Sequence, residues 1–154
     1  MREVYRISLA KHARDLSGRG ARLIGGRWNR RDTGVIYTSE HRSLAAMEYL
    51  VHVSLPYLPA EIKIVSIGVP DTGIPKEIDP AKLPTDWNRY PAPFSLADIG
   101  TQWVSSMESL LFRVPSAVVP HEFNILINPA HPEMKSVKIL KVENFEYDSR
   151  LHKN

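Results

Sequence analysis

Several short β-type runs, two stretches with helical periodicity and no regular alternation between them predict an α+β fold. A chain of 154 residues matches one domain at the usual size of roughly 100 to 200 residues. Residues 1–154 therefore read as a single compact domain of short strands and a few helices. Folding at this size removes about 68 to 70 % of the unfolded chain's surface from water, so a core can hold without cross-links.

Val4 to Ser8 alternates as a strand does, and Arg14 to Leu16 reads as another short extended piece. Leu16 to Gly26 carries glycines at 18, 20, 25 and 26, which predicts a loop that approaches something closely. The spacing does not fit a dinucleotide fingerprint, and no helical pattern follows it. The turn Arg31-Asp-Thr-Gly leads into a strand from Val35 to Ser39. From Ser43 to Ser54 the period becomes helical, with Leu44, Met47 and Val51 forming one apolar stripe and Glu48 on its edge. Glu61 to Val69 is rich in β-branched residues and predicts a strand.

Residues 70–93 hold six of the 12 prolines, which rules out long helices and central strands and leaves a surface connector with short turns. Ser95-Leu-Ala-Asp reads as a capped N-terminus of a helix that runs to about Ser106 and presents Leu96, Ile99 and Trp103. Leu110 to Val114, Glu122 to Asn128, Val137 to Val142 and Phe145 to Tyr147 complete the strands. The chain shows no internal repeat and no low-complexity run.

Composition narrows the chemistry. Without cysteine there is no disulfide framework, zinc knuckle, iron–sulfur site or thiol nucleophile. The opening Met1-Arg-Glu-Val-Tyr-Arg lacks a signal-peptide core, and no run of about 18 apolar residues exists. A soluble cytoplasmic protein with no membrane association is expected. Six histidines, at 12, 41, 52, 121, 131 and 152, show no ligand spacing, so no metal is expected. Phosphate-loop, zinc-helix, nucleophile-elbow and calcium-loop motifs are absent from the sequence.

Net charge is only +3, yet residues 2–42 carry ten basic side chains against four acidic ones. Nearly all of the ten are arginine, which favours planar, bidentate contacts with phosphate. The first quarter is thus an anion-seeking region, suited to nucleic acid or to a phosphorylated small molecule.

Seven positions stand out as candidates, each with an ordinary reading beside the functional one. Glu48 on an apolar helix edge either pairs with an arginine, reaches solvent, or stands in a cleft where its burial serves chemistry. Arg27, after Gly25-Gly26 and before Trp28, can grip a phosphate or pair with a surface carboxylate. Arg6 carries the same two readings. Tyr37 is a core aromatic, or it stacks on a planar ring or hydrogen-bonds a catalytic carboxylate. Ser116, between two prolines, is a turn serine or a ligand contact. Asn124 and Asn128 frame Ile125-Leu-Ile and can both serve as strand ends.

Taken in order, Gly25-Gly-Arg-Trp-Asn, Val35-Ile-Tyr-Thr-Ser, Ser43-Leu-Ala-Ala-Met-Glu, Val114-Pro-Ser-Ala-Val-Val-Pro and Asn124-Ile-Leu-Ile-Asn-Pro-Ala-His-Pro resemble the RES domain family. The tail Phe145-Glu-Tyr-Asp-Ser-Arg-Leu is similar to the family's closing segment, so the likeness runs from Tyr5 to Leu151. The resemblance implies an ADP-ribosyltransferase-like fold and a toxin that takes NAD as its substrate, degrading it or transferring ADP-ribose to a protein. It implies a cognate Xre-like helix-turn-helix antitoxin as partner, with any contact to DNA made through that antitoxin.

By position the resemblance makes Arg27, Glu48 and Ser116 the naming residues and Tyr37 a site tyrosine, with Asn124 at a further motif position. In these roles Glu48, Arg27 and Tyr37 are catalytic, and Arg27, Tyr37, Ser116, Asn124 and Arg6 contact NAD. The resemblance also suggests a homodimer inside a toxin–antitoxin complex. A rival from another class is a nucleic-acid-binding module, motivated by Tyr5, Trp28 and Tyr37 interleaved with the arginines.

Overall fold

A computed structural model describes residues 1–53 and 55–152. The strands are β1 (Arg2–Leu9), β2 (Ile36–Ser39), β3 (Ile62–Val69), β4 (Lys76–Glu77), β5 (Leu111–Pro115), β6 (Phe123–Ile127) and β7 (Lys138–Phe145), and the helices are α1 (Arg19–Ile24), α2 (Arg42–His52) and α3 (Phe94–Ser106). The strands form one sheet in the order β4-β5-β6-β2-β1-β3-β7. All neighbours run antiparallel except β4 and β5. A mixed sheet with segregated helices is an α+β architecture, as expected.

Side chains alternate across the sheet, and this divides the core in two. Val4, Ile36, Val65, Ile67, Ile125 and Ile127 gather on one face. Trp28, Phe112, Val114 and Leu126 gather on the other, under Leu96, Trp103 and Val104 of α3. The Trp28 ring meets Phe112 edge-on, with ring centroids 5.9 Å apart. Burial of each such side chain contributes about 1.5 to 3 kcal/mol.

Five sequence expectations are corrected. The glycine-rich run is not all loop, because residues 19–24 turn into α1 between Gly18 at φ 72° and Gly25 at φ 79°. Glycine at both ends lets the chain enter and leave this short helix through conformations costly to other residues. Arg14 to Leu16 forms no strand. Ser95 does not cap α3, which begins one residue earlier behind Pro93, while Asp98 pairs with Arg30 instead. The two expected strands are one continuous strand, β7 (Lys138–Phe145), with Val137 before it and Tyr147 beyond it.

The fifth correction concerns α2, whose expected last residue, Ser54, lies outside the described residues. Its buried face is Leu44 and Ala45; Met47 and Val51 are 44 % and 58 % exposed. The helix packs on β1 and β2, so it turns Leu44, Ala45 and Glu48 inward rather than the longest apolar stripe. In the proline-rich connector only the two-residue β4 and a 3₁₀ turn at Pro80–Lys82 are regular. Short edge elements of this kind are what its prolines permit.

Candidate active site

Tyr37 and Ser39 of β2 stand opposite Leu126 and Asn124 of β6, and Ser39 also faces Tyr5 of β1. Residues directly opposite share a sheet face, so these side chains point to one side. There α2 lays Ala45, Glu48, Tyr49 and His52 along the same cleft. The cleft encloses about 170 Å³, small beside the roughly 300 to 1,000 Å³ that bury a drug-sized ligand. A larger hollow of about 850 Å³, bounded by Leu58, Ile62, Phe145 and Tyr147, holds none of the candidate residues. Convergent polar groups rather than size therefore mark the site.

Glu48 is the hub. Its Oε1 accepts from Ser116 Oγ at 2.8 Å and from Asn124 Nδ2 at 2.7 Å. Asn124 Oδ1 in turn accepts from Ser39 Oγ at 2.7 Å. Ser116, 3 % exposed, also accepts from the Val118 and Val119 amides at 3.0 Å each. Its hydroxyl is therefore committed to Glu48 and to its own turn. Among the described residues no group donates to Glu48 Oε2, so one carboxylate oxygen is anchored and the other is free for a ligand.

Tyr37 is anchored elsewhere. Its hydroxyl accepts from the Trp28 amide at 3.0 Å and donates to Asn29 Oδ1 at 2.6 Å. Asn29, 1 % exposed, spends its Nδ2 on the carbonyls of Ala21, Arg30 and Thr33. Burial pushes the Tyr37 phenol well above its ordinary range, with the Trp28 amide and the Arg27 charge working against it. Tyr37 thus stays neutral and does not hold Glu48; that half of its expected role falls to Ser116 and Asn124. The close approach expected of Gly25-Gly26 is internal, because a Cβ on Gly26 would lie 2.8 Å from the Tyr37 hydroxyl.

Arg27 does not line the cleft, but it lies close enough to Glu48 and Tyr37 for their charges to interact. Its Nη1 donates to the carbonyls of Trp87 and Arg89 at 2.7 and 3.0 Å, so the proline-rich connector fixes the guanidinium. Burial lowers its pKa, and the negative charge of Glu48 partly offsets that. An arginine remains protonated all the same.

Two candidates fall away from this cluster. Arg6 borders the cleft from its place in β1, but its side chain shares the strand face of Val4, and its Nη2 donates to the carbonyls of Ala13 and Asp15 at 3.1 and 2.5 Å. Its guanidinium secures the corner after β1. Asn128 bonds the Val104 carbonyl and the Ala130 amide, the strand-end role open to it from the sequence. Sequence reasoning missed Ser39 and Asn29, whose only early signal is a polar residue two positions after a candidate, Tyr37 and Arg27 respectively.

Among the described residues no group of three or more His, Asp or Glu side chains could hold a metal, and no helix is long and apolar enough to cross a membrane. The RES domain model matches residues 3–149. The chain is 41 % identical over 141 residues to a protein of Sphingobium sp. named "Prs ADP-ribosylating toxin", covering 90 % of this chain and 88 % of that one. It is 37 % identical over 150 residues to "Toxin Res" of Yersinia enterocolitica, covering 96 % and 98 %. In the crystal structure of the M. tuberculosis MbcT–MbcA toxin–antitoxin complex, one chain superposes with a TM-score of 0.74 at 19 % identity, covering 94 % of this chain and 84 % of that one. That last likeness is one of fold.

Proposed function

The chain belongs to the RES domain family, and from that membership we propose that it works as one domain, the toxin of a toxin–antitoxin system, which cleaves the nicotinamide–ribose bond of NAD. The observation that carries this reading is the divided carboxylate of Glu48, held at Oε1 by Ser116 and Asn124 and open at Oε2. Breaking the glycosidic bond moves its electron pair onto the pyridinium nitrogen and leaves a ribosyl cation-like centre. A fixed carboxylate beside that centre stabilises the developing positive charge without reorganising. Nicotinamide departs neutral, so no general acid is needed and a single carboxylate suffices.

Arg27 supplies the complementary charge. Nη1 is held by two backbone carbonyls, while Nε and Nη2 remain for the pyrophosphate. Tyr37 offers a neutral ring against the nicotinamide. The cleft admits this end of the dinucleotide, with the adenosine end lying outside. When water is the acceptor, its oxygen bonds to the anomeric carbon, a proton passes to solvent, and ADP-ribose and nicotinamide leave; phosphate can replace water.

A second reading, mono-ADP-ribosylation of a cellular protein, is favoured by the name of the Sphingobium relative. It uses the same bond cleavage with a protein side chain as acceptor. The partner in this proposal is an antitoxin, a reading supported by the toxin–antitoxin complex in which the structural neighbour was solved; its Xre-like type and a toxin homodimer rest on the family resemblance alone. Action on the NAD pool places the protein in the cytoplasm.

The deciding experiment incubates the purified chain with NAD, with and without phosphate, and follows nicotinamide by chromatography beside Glu48→Gln. The native chain is expected to release nicotinamide, and Glu48→Gln to slow release by about 10² to 10³-fold while staying folded. Equal release from both proteins would remove Glu48 from the reaction. No release from a folded native chain, with transfer of label from NAD to a lysate protein, would select the second reading.

A further inference from the structure

We infer that Ser39 is a positioning residue for the Glu48 carboxylate, acting through Asn124. Ser39 closes β2, is 3 % exposed, and is paired with Asn124 on one side and Tyr5 on the other. Three strands therefore fix where its hydroxyl sits. That hydroxyl donates to Asn124 Oδ1 at 2.7 Å, and the other end of the same amide donates to Glu48 Oε1 at 2.7 Å.

A primary amide has one accepting and one donating end of nearly equal shape, so packing alone cannot choose between its two settings. Turned by half a rotation, Asn124 would set its carbonyl oxygen against the Glu48 carboxylate oxygen at hydrogen-bond distance, and the contact would become repulsive. The Glu48 carboxylate, which only accepts, selects the setting in which Nδ2 faces it, and the Ser39 hydroxyl, donating to Oδ1, holds the amide there; linked bonds of this kind reinforce one another in a partly buried site. Ser39 thus steadies the Asn124 donor on Oε1, beside the one from Ser116, and leaves the other oxygen of Glu48 to the ligand. This inference rests on the proposed role of Glu48 and extends it to a residue that reaches Glu48 only through Asn124.

The test compares the native chain with Ser39→Ala, Asn124→Ala and the double variant in steady-state nicotinamide release, and follows the Asn124 side-chain amide in nitrogen-15 spectra. Ser39→Ala is expected to lower kcat about tenfold, the loss of one hydrogen bond in a charged network, with KM changed by less than about twofold. In the Asn124→Ala background the same change should have no further effect, because the coupling runs through that amide. The Asn124 amide protons should exchange slowly in the native chain and quickly in Ser39→Ala. An unchanged kcat, or a loss that multiplies with that of Asn124→Ala, would overturn the inference. If the native chain releases no nicotinamide, the functional reading fails, and an Asn124 amide signal unaltered by Ser39→Ala overturns the positioning role separately.

Discussion

Gly26→Ala tests the tightest contact in the site. The new Cβ would stand 2.8 Å from the Tyr37 hydroxyl and 2.9 Å from Asn29 Oδ1, more than half an ångström inside a comfortable separation of about 3.5 Å. Neither neighbour can retreat, since the Tyr37 ring packs against the core and Asn29 is held by three backbone carbonyls. The Tyr37–Asn29 bond and the Trp28 amide bond to Tyr37 must both stretch or break. Each buried polar group left unpaired costs about 1 to 3 kcal/mol, so the variant should lose about 2 to 4 kcal/mol. At roughly 2 to 4 °C per kcal/mol for a domain of this size, that is a fall in Tm of roughly 5 to 15 °C.

Gly20→Ala is the control. It lies in α1 with nothing within 4 Å of an added Cβ, and alanine in a helix gains about 0.5 to 1 kcal/mol over glycine. Thermal melts followed by circular dichroism, with nicotinamide release on the same samples, decide the matter. A Gly26→Ala protein that melts with the native chain, or a Gly20→Ala protein that falls as far, would refute the account of how Tyr37 is anchored.

Gly100→Ala should abolish soluble expression or cost about 3 kcal/mol or more, because its Cβ would lie 1.7 Å from the Trp28 carbonyl oxygen; yield and melting temperature report it. Arg27→Lys keeps the charge but not the planar fork, so KM for NAD should rise about tenfold while kcat falls less, as read in steady-state kinetics. Burial raises the phenols of Tyr37 and Tyr147, the latter to about 12, above the unfolded value of about 10. From about pH 10 upward the unfolded chain therefore holds fewer protons than the native one, and stability falls as pH rises. Urea midpoints taken from pH 9 to 11 should decline, and less steeply in Tyr37→Phe.

The strands were legible because β-branched runs such as Ile62–Val69 have the composition of buried strands whatever surrounds them. α1 was not, because its six residues include Gly20 and its glycine ends also describe a loop. The burial of α2 was misjudged because Met47 and Val51 give the longer apolar stripe, and only docking on β1 and β2 turns Ala45 and Glu48 inward. The family resemblance grouped Glu48, Arg27, Tyr37, Ser116 and Asn124 as one expected set. It could not reveal which touch, since the bonds at Glu48 join residues 68 and 76 positions apart. The direction of the Arg6 side chain was not legible in its identity, because alternation along β1 decides its face, and Val4, two residues earlier, points into the opposite core.

The two charges of the site are each held by neutral partners rather than by each other. Glu48 takes a hydroxyl and an amide, and Arg27 gives its protons to two carbonyls. A direct ion pair would satisfy both more strongly, but a ligand would then have to part it, and breaking a buried pair costs about 3 to 5 kcal/mol. Neutral anchors fix the geometry and leave the charges uncancelled. One oxygen of Glu48 and the remaining guanidinium donors are thus left unpaired among the described residues, the preorganisation that charge separation in the proposed glycosidic cleavage requires. Ser39 and the carbonyls of Trp87 and Arg89 are the outer supports of that arrangement, set on a strand end and on a proline-stiffened connector whose positions binding need not change.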